Sequence, residues 1–197
     1  MKNKPREIKN FLPKKDHKYI QDLLKDSGSF PWFLNKAHGT SDASYVKDQS
    51  LKYKRIKEGA LFYHTFYDNN IKEKPINSCY MNIVEMLCKC FLKKQKIKEL
   101  NLWRSKANLQ LQVQDFNKEE YNTPHVDYDI PHYVLLYYVN ETDGDTFLFN
   151  NDYSIIKIIK PEANKLLFFD GSIPHAGSHP SRHAYRIVIN INFTYEK

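Results

Sequence analysis

The sequence predicts an α+β fold. Its C-terminal half forms a jelly roll or β-sandwich, and helices from the N-terminal half pack on one sheet. Three observations predict it. The strongest apolar repeat before residue 101 has helical spacing, while after residue 102 the repeat is two. The later apolar runs are short, as strands are. Turn-forming stretches at 141–144, 150–152 and 161–164 separate them.

Residues 1–10 are polar and expected to be frayed, and Phe11 and Leu12 open a short strand. Residues 15–27 read as a helix, with Tyr19, Ile20, Leu23 and Leu24 on one face and Gly28 as its stop. Residues 30–34 are aromatic and extended. Residues 35–59 are polar with little periodicity, and a loop of that length reads as a lid or binding loop. Residues 60–67 read as a strand. The strongest helix is expected over 75–100, where Tyr80, Ile83, Val84, Leu87, Cys88 and Phe91 form one stripe. Then Leu109, Leu111 and Val113 alternate with Asn108, Gln110, Gln112 and Gln114. Strands follow at 133–140, 146–149, 154–159, 165–170 and 186–193. The organisation expected is a single catalytic domain over 1–197. Residues 1–101 form a helical, lid-containing N-terminal part, and 102–197 the core.

Apolar residues make up 41% of the chain, enough for a core, and 27% charged residues do not indicate global disorder. The net charge of +7 leaves nucleic acid open as a partner. Its excess lies in residues 1–15 and 89–98, which read as solvated faces. Cys79, Cys88 and Cys90 are odd in number and absent from the C-terminal half. They make no disulfide framework and suit a reducing cytosol. No stretch resembles a signal peptide or reaches membrane-spanning length. A soluble, cytoplasmic protein with no membrane partner is expected.

The chemistry concentrates in three places. In His125-Val126-Asp127, an extended backbone points residues i and i+2 the same way, so an imidazole and a carboxylate can grip one metal. His175 follows the apolar strand 165–170 and a turn. Two histidines and a carboxylate form a facial triad that leaves three positions open on Fe(II). A catalytic zinc site keeps one main open place. Arg186 starts the last strand and shares a face with Val188, Asn190 and Asn192, while Ile187, Ile189, Ile191 and Phe193 share the other. A cation pointing into a cavity needs an anion, and a dicarboxylate tail suits it. Tyr138, of one parity with Val134 and Leu136, can add a phenol donor. Parity also makes Asn190, Asn192 and the Gln110, Gln112 and Gln114 face candidate cavity residues. Arg104 and Lys106 precede an inward-polar strand and read as a solvated rim, with contact to the substrate as the alternative, and His179 and His183 read as loop residues rather than ligands.

The ordered set His125-Val126-Asp127, 135–140 (Leu-Leu-Tyr-Tyr-Val-Asn), Gly144-Asp145-Thr146, 164–169, Pro174-His175 and Arg186 resembles the 2-oxoglutarate and Fe(II)-dependent dioxygenases. Within them it looks like the prolyl-4-hydroxylase-like branch with its small viral and bacterial members. The resemblance covers about residues 102–195. It implies a double-stranded β-helix (jelly roll) with N-terminal supporting helices. It implies His125, Asp127 and His175 as iron ligands and as the catalytic centre. Arg186 would pair with the distal carboxylate of 2-oxoglutarate, assisted by Tyr138. The cofactors implied are Fe(II), 2-oxoglutarate as co-substrate, and O2.

Asp127 favours hydroxylation over halogenation, because family halogenases lack that carboxylate. The nucleic-acid-demethylating branch carries two arginines separated by five residues on the last strand. Here Arg182 and Arg186 are separated by three and Arg182 precedes the strand, which counts against nucleic acid. The implied activity is hydroxylation of an unactivated C–H bond of a peptidyl prolyl residue. The same chemistry on a free amino acid, small metabolite or nucleobase is the alternative substrate class. A non-enzymatic jelly-roll binding module and a cupin-type metal enzyme without 2-oxoglutarate are the competing classes.

Overall fold

The alternation after residue 101 resolves into two antiparallel sheets. The computed structural model describes residues 4–26, 28–35, 56–57, 59–69, 76–152 and 154–196. The expected lid, residues 35–59, falls mostly outside them. The elements are β1 (Arg6–Ile8), α1 (Lys14–Gln21) continued by a π-helical turn (Asp22–Asp26), β2 (Phe33–Asn35), β3 (Leu61–Asp68), β4 (Ile76–Asn77) and α2 (Met81–Gln95). There follow β5 (Asn101–Leu111), β6 (Tyr133–Tyr138), β7 (Thr146–Phe149), β8 (Ile155–Ile159), β9 (Lys165–Asp170), β10 (His175–Gly177) and β11 (Tyr185–Thr194). The larger sheet runs β1-β9-β6-β11-β5-β3-β2, with β4 on β3, and the smaller runs β10-β7-β8.

The two parities of β11 face two cores. Ile187, Ile189, Ile191 and Phe193 join Leu135, Tyr137, Leu166 and Phe168 under the helices, where α1 adds Ile20 and α2 adds Ile83, Val84, Leu87 and Phe91. Each fully buried side chain of this size contributes about 1.5–3 kcal/mol. Val188 faces the other way with Val134, Leu136, Tyr138, Leu167 and Phe169, meeting Leu148 and Ile159 of the smaller sheet. Arg186, Asn190 and Asn192 share the parity of Val188 and are buried, so the polar alternation lines the space between the sheets and not a solvated face.

Three local expectations change. Residues 6–8 pair with β9, covering what would otherwise be its open edge, and Glu7 bridges Lys165 at 3.0 Å and Lys157 at 2.7 Å. Phe11 and Leu12 are buried but form no strand. Asn164, at φ 61°, bonds both the N–H and the carbonyl of Leu12 through its side chain, which does the work that strand pairing would have done. The helix expected over 75–100 is α2 alone. Ile76–Asn77 pairs with β3 instead, and Lys96 ends the helix in the left-handed conformation.

Candidate metal centre and co-substrate pocket

His125 and His175 approach as a strand pair. Their backbones exchange hydrogen bonds, His125 N to His175 O at 3.0 Å and His175 N to His125 O at 2.9 Å, and their rings stand 4.8 Å apart. The Asp127 carboxylate reaches 3.6 Å from His175 Nε2. One ligand atom from each of the three lies within 4.8 Å of the others. His125 Nδ1 sits 3.1 Å from Thr123 O and His175 Nδ1 sits 3.3 Å from Ile173 O. A carbonyl only accepts, so the ring protons belong on Nδ1 and the Nε2 lone pairs are free for a metal. His175 and the Asp127 side chain are buried, and His125 is exposed, so the triad meets solvent on the His125 side.

Burial works to raise the Asp127 pKa. His175, Arg104 and His125 as positive neighbours, with the Asn192 hydrogen bond, override it and hold the carboxyl well below the usual range. Arg104 is the permanent charge among them. Its Nη2 donates to Asp127 Oδ1 at 2.5 Å and to Asn192 Oδ1 at 3.1 Å. Asn192 Nδ2 donates to Asp127 Oδ2 at 2.8 Å, and Asn190 Nδ2 to the same oxygen at 3.2 Å. Burial, helped by His125, pushes His175 down to about 4, so at neutral pH its imidazole is neutral and able to coordinate.

Toward the start of β11 lies a second polar cluster. The Arg186 guanidinium is buried and donates to Gly144 O at 2.8 Å, Gln110 Oε1 at 2.5 Å and Thr146 Oγ1 at 2.8 Å. Tyr138 OH donates to the same Thr146 oxygen at 2.9 Å, which leaves the threonine its own proton to give. Burial pushes the Tyr138 phenol up, so it is neutral. Burial also lowers the Arg186 pKa, offset by Tyr138 and Asp145, yet no carboxylate among the described residues makes a salt bridge to it.

Residues 111–194 match the family model of the 2OG-Fe(II) oxygenase superfamily. This segment belongs to that superfamily. The protein is an enzyme of the 2-oxoglutarate/Fe(II)-dependent dioxygenase class, whose cofactors are Fe(II), 2-oxoglutarate and O2. No curated protein matches the chain in sequence. In fold, it is similar to a prolyl hydroxylase from Trichoplax adhaerens solved with a hypoxia-inducible-factor degradation-domain peptide (16% identity, TM-score 0.62, 98% of this chain and 84% of that one). It is similar too to the viral collagen prolyl hydroxylase of Paramecium bursaria Chlorella virus-1 (13%, TM-score 0.54, 98% and 97%). A third is the α-ketoglutarate-dependent epimerase SnoN of nogalamycin biosynthesis (10%, TM-score 0.59, 97% and 77%). These likenesses bear on the fold, which is the double-stranded β-helix.

The oxygenase core fits its cofactors by its own chemistry. The donors are two imidazoles and a carboxylate. Asn190, which donates to Asp127 through Nδ2, has its Oδ1 buried with no hydrogen-bond partner among the described residues. Arg186 is a buried cation whose hydrogen-bond partners among the described residues are neutral.

Of the other residues singled out in the sequence, His179 bonds Leu111 O and His183 bonds Asp143, both away from the triad. Arg182 lies outside β11 and also bonds Asp143. Gln110 is buried and accepts from Arg186, but Gln112 and Gln114 are exposed because β5 ends at Leu111. Sequence reading raised Arg104 as a rim residue or substrate contact and missed its hold on Asp127. Arg104 shares the parity of Gln110 and lies opposite Asn192, so the signal was there once the register was known.

Gly144 is tight against the arginine. A Cβ there would stand 2.6 Å from the Ser178 carbonyl oxygen and 2.8 Å from Arg186 Cδ. Gly144→Ala is expected to cost about 1–3 kcal/mol in stability and to weaken 2-oxoglutarate binding by displacing the guanidinium. Denaturant melts paired with co-substrate titrations check this, and undisturbed 2-oxoglutarate affinity would show that the arginine accommodates the methyl.

Proposed function

We propose that His125, Asp127 and His175 hold Fe(II), and that Arg186, with Tyr138 and Thr146, holds the distal carboxylate of 2-oxoglutarate. The reaction is hydroxylation of an unactivated C–H bond, with a peptidyl prolyl residue as the substrate. The observation that carries this is Arg186, a buried guanidinium paired among the described residues with neutral acceptors, on the same strand face as the asparagines that hold Asp127. Neither a cupin-type site without 2-oxoglutarate nor an inert module needs that cation.

Bound Fe(II), 2-oxoglutarate and O2 together supply the oxidation: one oxygen atom goes to succinate as CO2 leaves, and the other goes to the substrate. The chain does the rest. His125 and His175 give their Nδ1 sides to backbone carbonyls and so turn Nε2 to the centre, and Asp127 stays ionised because Arg104 and two asparagines hold it. Arg186 reads a carboxylate as a two-pronged donor. Val188, Leu136 and Phe169 belong to the buried apolar cluster that also contains Tyr138.

Two features support a peptide. The triad is open at His125. Trp103, beside Tyr128 at 5.6 Å, makes an aromatic shoulder next to Arg104, whose guanidinium lies over the Tyr128 ring at 5.0 Å. Trp32, the other aromatic candidate, packs on Phe30 under the helices and does not serve. A small-molecule substrate is the second reading, supported by the fold likeness to SnoN.

Anaerobic titration with Fe(II) and 2-oxoglutarate tests the class through the weak visible charge-transfer band of the chelate. The band is expected in the wild type and absent in His175→Ala. Iron binding without the band would remove 2-oxoglutarate and return the cupin reading. Succinate release stimulated by proline-containing peptides, and not by free amino acids, would favour the peptidyl substrate.

A further inference from the structure

The inward face of β5 carries a second cation beside the metal centre. In the β5–β11 register Arg104 stands opposite Asn192, Lys106 opposite Asn190, Asn108 opposite Val188 and Gln110 opposite Arg186. Residues paired across antiparallel strands share a face. Lys106 therefore stands in the row between Arg104, at the Asp127 end, and Gln110, at the Arg186 end.

Both flanking cations are committed, Arg104 to Asp127 and Arg186 to its three neutral acceptors. Lys106 is not. Among the described residues its ammonium makes no hydrogen bond and no ion pair, and its one close neighbour is the face of Tyr63, 5.5 Å from the ring centroid. It is half-buried, and burial, seconded by Arg104, lowers its pKa. Asp68 and Asp127 oppose this from a distance without reaching it. Holding an ammonium out of water without a partner is unfavourable. An anion arriving from outside would relieve that cost.

We infer that Lys106 binds a carboxylate on the primary substrate, so that this oxygenase selects an anionic molecule or an acidic peptide segment. The inference rests on the reading of the cavity as an Fe(II)/2-oxoglutarate site and names the substrate class for it. The carboxylate can belong to an acidic side chain next to the reacting residue or to a free amino acid. A lysine suits either, because it presents a point charge with rotatable donors and no fixed fork.

Calorimetric titration of the anaerobic Fe(II)/2-oxoglutarate-loaded protein tests this. The probes are matched pairs: acetyl-Pro-Glu-amide against acetyl-Pro-Gln-amide, acetyl-Glu-Pro-amide against acetyl-Gln-Pro-amide, and N-acetylproline against N-acetylprolinamide. The carboxylate member of at least one pair is expected to bind about tenfold or more tightly, as a charge-assisted hydrogen bond allows. The pair that discriminates identifies the source of the carboxylate. The preference should collapse in Lys106→Met, persist in Lys106→Arg and reverse in Lys106→Glu, with the affinity for 2-oxoglutarate unchanged in Lys106→Met.

Equal binding within every pair, or no binding by any probe, overturns the inference. So does a preference that survives Lys106→Met, and so does a loss of 2-oxoglutarate affinity in that variant, which would make Lys106 a co-substrate ligand. The chelate band is recorded before any probe is added. Its absence in the wild type removes the reading of the site and the inference with it. Its presence without a carboxylate preference removes the inference alone.

Discussion

Arg186→Met is expected to raise the Kd for 2-oxoglutarate about a hundredfold or more while Fe(II) binding changes little. Each charge-assisted hydrogen bond contributes about 1.5–3 kcal/mol, and a carboxylate on a guanidinium takes two. A loss of about 3 kcal/mol is already more than a hundredfold. Iron affinity should hold, because Arg186 hydrogen-bonds to Gly144, Gln110 and Thr146 and to none of the triad. Stability should change little as well. Methionine removes a buried cation, which is favourable, but strands Gly144 O and Gln110 Oε1, which is not, while Tyr138 still donates to Thr146. Arg186→Lys keeps the charge and loses the fork, so its Kd should fall between the two. Titrating the chelate band with 2-oxoglutarate at saturating iron measures all three proteins. Wild-type affinity in Arg186→Met would end the co-substrate assignment.

Arg104→Met is expected to weaken Fe(II) binding about 10–100-fold, the usual effect of losing a residue that orients a metal-binding side chain. Arg104 fixes one Asp127 oxygen and one Asn192 oxygen together, and Asn192 fixes the other Asp127 oxygen. Its loss frees the carboxylate to turn and leaves burial, which raises the pKa, less opposed. The sign of the pH effect follows. In the wild type the Asp127 pKa lies below its unfolded value of 3.8, so its stabilising contribution is complete above that pH and is lost as pH falls below it. In Arg104→Met the folded-state pKa rises, so acid should disrupt metal binding at a higher pH than in the wild type. Equilibrium dialysis of Fe(II) across pH measures both effects. An unchanged iron affinity would reduce Arg104 to a packing residue.

Much of the centre was legible because it depends on short-range periodicity. A strand sends alternate side chains to opposite faces. Arg186, Asn190 and Asn192 were therefore separable by eye from Ile187, Ile189, Ile191 and Phe193, and the two sets do face different cores. The same rule placed His125 and Asp127 together, and Tyr138 with Val134 and Leu136. The α2 stripe of Ile83, Val84, Leu87 and Phe91 was visible for the matching reason at helical spacing.

What failed depended on which strand lies beside which. Arg104 and Lys106 read as a rim because nothing local says that β5 pairs with β11 in the register that sets them against Asn192 and Asn190. Gln112 and Gln114 kept the right parity but lost the strand, which stops at Leu111. The N-terminal residues looked frayed because their partner, β9, lies about 160 residues away in sequence. By itself the sequence determined which side chains share a face and which chemistry they carry, since both follow from residue identity and a period of two. Only the tertiary structure decided which cation holds Asp127, which holds neutral acceptors and which has no hydrogen-bond partner among the described residues, because long-range strand register brings those groups within hydrogen-bond reach or leaves them out of it.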